Sequence, residues 1–165
     1  MGGGGGGSLS RSDIAGLEAK AKMHFEKASE DVVRHVFISF AYEDLGEVNL
    51  LRGQAKNDKL DLEFDDYSLK DPIDSKNADY IKCKIREKID RSSVTVVYLT
   101  SHSASSSWVN WEIRESLVRG KGVIGVYKDN LPSKLPSVFS ENKCRVVKWN
   151  HKELMDAIEA ASVKR

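Results

Sequence analysis

Between residues 35 and 161, short apolar runs alternate with segments whose apolar positions recur every three or four residues. "HVFISF" (35–40) is apolar and partly β-branched, which predicts a buried strand. "EDLGEVNLLRGQAKN" (43–57) follows, with Leu45, Val48, Leu51 and Ala55 at helical spacing. "LDLEF" (60–64) predicts a second strand, and the polar stretch "DDYSLKDPIDSKN" (65–77), with Pro72, a long loop. "ADYIKCKIREKID" (78–90) sets Ile81, Ile85 and Ile89 four apart on one helix face. "SVTVVYLT" (93–100) predicts a third strand, and "SWVNWEIRESLVRG" (107–120) a helix stopped by Gly120. "GVIGVY" (122–127) is a fourth strand. A Pro-containing connection leads to a fifth, "CRVVKW" (144–149), and "HKELMDAIEAA" (151–161) closes with an amphipathic helix.

Strand and helix alternate, which predicts an α/β fold: a parallel five-stranded sheet with helices on both faces. The strands read as apolar runs, as strands buried on both faces do. Right-handed crossovers and the flavodoxin-like order 2-1-3-4-5 follow as the expected topology. In such sheets a ligand site lies beyond the carboxyl ends of the strands, where the order reverses between strands 1 and 3. That rule brings together "AYED" after strand 1 and "SHSASSS" after strand 3, with loop 65–77 able to fold over both.

The chain starts differently. Residues 1–9, with six consecutive glycines, read as a flexible tail, because a phosphate-cradling loop needs a preceding strand and a following Gly-Lys-Ser/Thr. Residues 10–33 read as an N-terminal helical extension. "SRSDIAGLEAKAKMHFEKAS" (10–29) places Ile14, Leu17, Ala21 and Phe25 near one face, capped by Ser10 or Ser12. This helix either packs on its own domain or offers a contact surface to a partner or a second copy. Residues 34–165 form the main domain.

Composition narrows the function. The 165 residues are 40% hydrophobic and 31% charged, enough for one ordinary core. The 26 basic and 25 acidic residues leave a net charge of +1, so electrostatics make no case for nucleic acid. Cys83 and Cys144 lack metal-type spacing, which favours a reducing compartment over a disulfide framework. No apolar run reaches membrane-spanning length, and the start lacks the regions of a signal peptide. The expectation is a cytoplasmic protein without membrane or nucleic-acid partners.

The crevice supports few chemistries. Strand 1 is followed by no Gly-x-Gly-x-x-Gly turn, and strand 3 ends in "YLTSH" without the aspartate of a phospho-acceptor domain. His102 stands among serines and reads as a solvated loop residue. Glu112 remains. On a helix it shares a face with Trp108, and Ile113 and Leu117 point towards the sheet, so Glu112 is expected partly desolvated at the crevice mouth. A lone carboxylate is poor equipment for hydrolysing peptides or phosphates. It suits cleavage of an N-glycosidic bond to a pyridinium, where the leaving group departs neutral and the ribose becomes oxocarbenium-like. Phe40, Tyr42 and Trp108 can wall the pocket. The bland alternative for Glu112 is an acid that favours the helix dipole.

"HVFISFAYED", the loop "FDDYSLKDPIDSKN" and "SASSSWVNWEI" together resemble the TIR domain, in particular its bacterial TIR-like branch used in antiphage signalling, which includes the NAD-consuming sensor of the Thoeris system. The resemblance spans roughly residues 34–162, and its most specific element is Trp-Val-x-x-Glu-Ile. It implies a TIR fold with NAD+ as substrate rather than cofactor, and Glu112 as the catalytic glutamate. Trp108, Phe40 and Tyr42 would line the NAD+ pocket. Residues 65–77 would be the BB loop that gates the site and mediates assembly, with Asp66, Tyr67 and Lys70 near the substrate. Ser101, Ser103 and Ser106 would stand at the Ser/Thr positions before Trp108. The product would be ADP-ribose, a cyclic isomer or a conjugate, read by a separate downstream effector after a phage-derived trigger, with possible homo-oligomers. Ala41 departs from relatives that carry a cation there, which leaves Arg52, Lys70 or the helix start near Ser107 to meet phosphate. Two other readings stand beside this one. A non-catalytic TIR scaffold would signal by oligomerising through its BB loop. A nucleoside-handling glycosyl enzyme would use Tyr42 and Asp44.

Overall fold

The computed structural model describes residues 12, 14–19, 34–57, 62–65 and 71–163. The chain divides into two units, Met1–Val33 and Arg34–Arg165. In the first, Ser12 and residues 14–19 are helical, with Ile14 and Leu17 exposed. The rest of the expected 10–29 helix lies outside the described residues.

The second unit alternates strand and helix: β1 (Arg34–Ser39), a 3-10 turn (Tyr42–Asp44), α1 (Leu45–Asn57), β2 (Leu62–Asp65), α2 (Ala78–Arg91), β3 (Val94–Tyr98), α3 (Ser107–Val118), β4 (Gly122–Tyr127), α4 (Ser137–Asn142), β5 (Arg145–Lys148) and α5 (His151–Val163). The five strands form one parallel sheet in the order β2-β1-β3-β4-β5. That is the expected α/β architecture, and it puts the reversal of strand order between β1 and β3.

Alternation along the strands sorts the core into two layers. Val36 and Ile38 of β1, with Val94, Val96 and Tyr98 of β3, pack against Val48 and Leu51 of α1 and Leu154, Ala157 and Ile158 of α5. The other face splits in two. Phe37 meets Ile81, Ile85 and Ile89 of α2, with Trp108 and Trp111 against them. Val97 and Leu99 meet Val109 and Ile113 of α3 and Val138 and Phe139 of α4. The three isoleucines four apart are all buried, so the spacing read in the sequence is the packing face.

Two differences from the sequence reading have physical causes. The connection after β4 contains α4, whose six residues offer only Val138 and Phe139 as buried apolar positions, too few to establish a helical period. Lys143 closes it in the left-handed region at φ 51°, a role glycine usually fills. The fifth strand is shorter than residues 144–149 and, at the edge of the sheet, carries exposed Arg145 and Lys148 at its two ends. Gly120 does end α3. At φ 73° it lets Lys121 N–H donate to Ser116 O (2.9 Å) and its own N–H donate to Leu117 O (3.0 Å), the paired bonds of a Schellman motif.

Candidate functional site

The site grows from the carboxyl ends of β1 and β3. On β1, Val36 and Ile38 face α1 and α5, so Phe37 and Ser39 face α2 and α3. Ser39 is therefore a hydroxyl in a buried apolar strand, and it is fully covered. Its partner is Glu112 on α3: Ser39 Oγ donates to Glu112 Oε1 at 3.1 Å. Glu112 is 0% exposed. The carboxylate is thus sealed beneath the crevice rather than set partly desolvated at its mouth, a correction to the sequence reading. The cause is α3's rotation. Val109, Glu112, Ile113 and Ser116 form its buried stripe, so Glu112 belongs to the face packed on the sheet. Ser116 extends the polar seam: its Oγ donates to Glu112 O at 2.7 Å and shares a 2.7 Å hydrogen bond with Thr95 Oγ1 of β3. A buried carboxylate needs a donor such as Ser39, because an uncompensated charge in a low dielectric is costly, whereas Ser116 bonds only the backbone carbonyl of Glu112.

Beside this seam lies a cavity of about 220 Å³ lined by Phe40, Tyr42, Glu43, His102, Ser105, Ser106 and Trp108. Phe40 follows Ser39 and Trp108 stands one helical turn before Glu112, so the pocket wall adjoins the seam, although neither Ser39 nor Glu112 lines the pocket. Its volume, as bounded by the described residues, suits one moiety of a dinucleotide rather than the whole molecule. Tyr42 is 69% exposed at the rim, whereas Phe40 is buried and doubles as a member of the core packed on α1 and α5. Trp108 donates Nε1–H to Asp71 O at 2.8 Å, tying the middle of the long loop to α3. It also meets Trp111 edge-on at 5.7 Å, and Lys82 and Arg86 of α2 lie 5.6 and 5.4 Å from the Trp111 ring.

The serines divide. Ser106 lines the pocket and caps α3, its Oγ accepting from Val109 N–H at 3.2 Å. Ser103 is buried and braces its own turn, donating to Thr100 O at 2.9 Å and accepting from Thr100 N–H at 3.1 Å. It is not among the pocket-lining residues. Ser101 borders a different cavity, a cleft of about 580 Å³ that also includes Glu47, Tyr98, Lys128 and Lys134. Arg52 lies on α1 and does not line the pocket, and Asp66, Tyr67 and Lys70 lie outside the described residues.

Three residues enter the site in roles the sequence reading did not give them. His102, read there as solvated, has Nδ1 3.0 Å from Asp44 Oδ1. Asp44 is buried, and its Oδ2 accepts from Thr100 Oγ1. This bridge ties the turn after β1 to the loop after β3. The hydrogen bond to Asp44, then its charge, raise the His102 pKa above the ordinary imidazole value. Ser39 is the third: a lone hydroxyl at an inward position of "HVFISF" was the available signal. Among the described residues no group of three or more His, Cys, Asp or Glu is placed to hold a metal ion, and no helix is long and apolar enough to cross a membrane.

The Ser39–Glu112 bond has a measurable consequence. Ser39→Ala removes a donor to Oε1 at a buried site, and the expected cost is about 1–3 kcal/mol in urea denaturation. Ser39→Thr, which keeps the hydroxyl, should recover part of that loss.

Comparison with known proteins adds to this geometry. The family model described as "Thoeris protein ThsB, TIR-like domain" matches residues 37–133. A Bacillus cereus (strain MSX-D12) protein named "Putative cyclic ADP-D-ribose synthase ThsB1" is 29% identical over 119 residues. That match covers 66% of this chain and 62% of the relative, so the chain aligns with less than two thirds of the relative's length. Among solved structures, the TIR domains of the activated Roq1 resistosome recognising the pathogen effector XopQ are 22% identical, over 79% of this chain and 73% of theirs, with a TM-score of 0.43. The Clostridium botulinum CMP N-glycosidase BcmB is 14% identical, over 77% of this chain and 99% of its own, with a TM-score of 0.47.

Proposed function

The chain belongs to the TIR-like domain family of the Thoeris protein ThsB, and on that premise we propose that it is an enzyme that cleaves nicotinamide from NAD+ and makes an ADP-ribose-derived signal nucleotide in bacterial antiphage defence. The observation that carries this reading is Glu112, a carboxylate held by Ser39 beside an aromatic-walled pocket at the reversal of strand order. The curated relative's name supports the substrate class.

The chemistry follows from the residues. The bond between ribose C1′ and the pyridinium nitrogen breaks, and its electron pair leaves on nicotinamide, which departs neutral. Positive charge then develops on the ribose. Glu112 opposes that charge across a water-poor space, where a carboxylate acts more strongly than in bulk water. Water capture at C1′ gives ADP-ribose and a proton. Capture by a nucleophile of the same molecule gives a cyclic isomer. Trp108 and Tyr42 wall the pocket and restrict which nucleophile arrives. Glu112 is closed off from solvent in this arrangement, so turnover requires the side chains above it to part. That suits an enzyme kept silent until a phage-derived trigger acts, with its product read by a separate effector and with self-association as one route of activation.

The same burial favours a second reading, a non-catalytic scaffold that signals through assembly, in which Glu112 serves only the α3–β1 seam. Product analysis separates the two. The protein is incubated with NAD+, alone and with lysate from phage-infected cells, and nucleotides are weighed by mass spectrometry. Free nicotinamide with a matching ADP-ribose-derived product supports the enzyme. Intact NAD+ under all conditions supports the scaffold.

A further inference from the structure

His102 borders two cavities at once: the pocket of about 220 Å³ beside the Glu112 seam and the neighbouring cleft of about 580 Å³. The first is the size of one nucleoside half and the second has room for the other. A dinucleotide joins its halves through a diphosphate, so a molecule spanning both cavities would carry its phosphates past His102. Resting on the proposed dinucleotide substrate, we propose that His102, oriented by Asp44, binds the diphosphate, with the pocket and the cleft taking the two nucleoside halves.

Several observations converge. Asp44 is buried and takes hydrogen bonds from both Thr100 Oγ1 and the imidazole, so it holds the ring in place. With Nδ1 facing Asp44, Nε2 is the ring nitrogen left to meet a ligand, and the side chain is 50% exposed. The hydrogen bond to Asp44 and its charge keep the ring protonated to higher pH than an ordinary imidazole. Such a ring is a poor base but a good charge-assisted donor to phosphate oxygen. Ser105 and Ser106 offer hydroxyls on the pocket side. The charged groups around the ring are Glu43 and Asp44 on the 3-10 turn, Glu47 on α1, and Lys128, Asp129 and Lys134 on the loop after β4. Asp44, Glu43 and Glu47 hold the proton on His102, and the two lysines line the cleft a diphosphate would border. In the cleft, Tyr98 donates to Glu47 Oε2 at 3.1 Å, and its hydroxyl pKa is raised by burial and then by Glu47, so the phenol stays neutral.

The sign of the pH dependence follows. The folded pKa of His102 is raised, so diphosphate affinity is full below it and declines as pH rises through it. Bound diphosphate should raise that pKa further, because it binds the protonated ring better.

The test is an NMR titration of the His102 imidazole in the full chain and in Glu112→Gln, free and with inorganic pyrophosphate or ADP-ribose. The expected results are a His102 pKa raised by either ligand and, with ADP-ribose only, backbone shifts at Ser101 and Leu131, which both line the cleft. His102→Gln should weaken ADP-ribose binding about tenfold or more at pH values below the His102 pKa that the titration finds, with the loss shrinking as pH rises through it. Asp44→Asn should lower the pKa and move the pH dependence down. An unmoved His102 pKa with both ligands overturns the diphosphate contact, even if NAD+ turnover proves to depend on Glu112. A raised pKa without shifts at Ser101 and Leu131 overturns the cleft as the second nucleoside site. A raised pKa in a protein that never turns over NAD+ keeps the diphosphate site and removes the enzyme.

Discussion

Glu112→Gln should lower nicotinamide release about a thousandfold, while the folded structure stays close to that of the parent. The magnitude comes from charge. At about 4 Å and an effective dielectric near 20, a carboxylate and a full positive charge attract by roughly 4 kcal/mol, about three orders of magnitude in rate. Glutamine has nearly the same volume, and its amide oxygen can still accept from Ser39 Oγ, so the seam between β1 and α3 is kept. Stopped or single-turnover kinetics with NAD+ read the chemical step directly. Loss of kcat and kcat/KM together marks an interaction made in the transition state, whereas a rise in KM alone would mean that Glu112 only helps hold the substrate. A thermal melt of both proteins checks that the fold survives.

Ile85→Ala should destabilise the domain by about 2–5 kcal/mol. Ile85 is fully buried in the middle of the α2 stripe, packed with Phe37, Ile81 and Ile89. Truncation deletes three carbons at a point where the neighbouring isoleucines, each fixed by its own turn of helix, collapse poorly into the space. Trp108 and Trp111 pack against the same cluster, so the cavity also loosens the wall beside Glu112. Urea denaturation measures the loss. Leu50→Ala is the matched control: Leu50 is 65% exposed on α1, and its truncation should change stability by no more than about 0.5 kcal/mol. Equal effects at the two positions would mean that the α2 stripe is not the packing face.

The fold was largely legible because its signals are periodic. Ile81, Ile85 and Ile89 declare a helix face, Gly120 a helix end, and Val94 to Tyr98 a strand buried on both sides. Alternation and handedness allow more than one strand order; the flavodoxin-like one was the preferred expectation, and its reversal point then located the crevice. What the sequence hid depends on contacts between distant residues. Asp44 and His102 are 58 positions apart, and nothing local in "YED" or "TSHS" says that they meet. Ser39 and Glu112 are 73 apart. The depth of Glu112 was misjudged for a related reason. Helical spacing orders residues around the α3 axis, but only packing on the sheet decides how wide the buried stripe is, and here it reaches from Ile113 round to Glu112. Ser103 shows the reverse case: a serine resembling a ligand contact is used up in bracing its own turn.

The central claim is that the Glu112 carboxylate drives departure of nicotinamide. It is tested most directly by quantifying nicotinamide released from NAD+, with and without lysate from infected cells, by the parent protein and by Glu112→Gln side by side. The expected result is release by the parent under at least the activating condition and about a thousandfold less by the variant. Comparable release by both would contradict the assignment of Glu112.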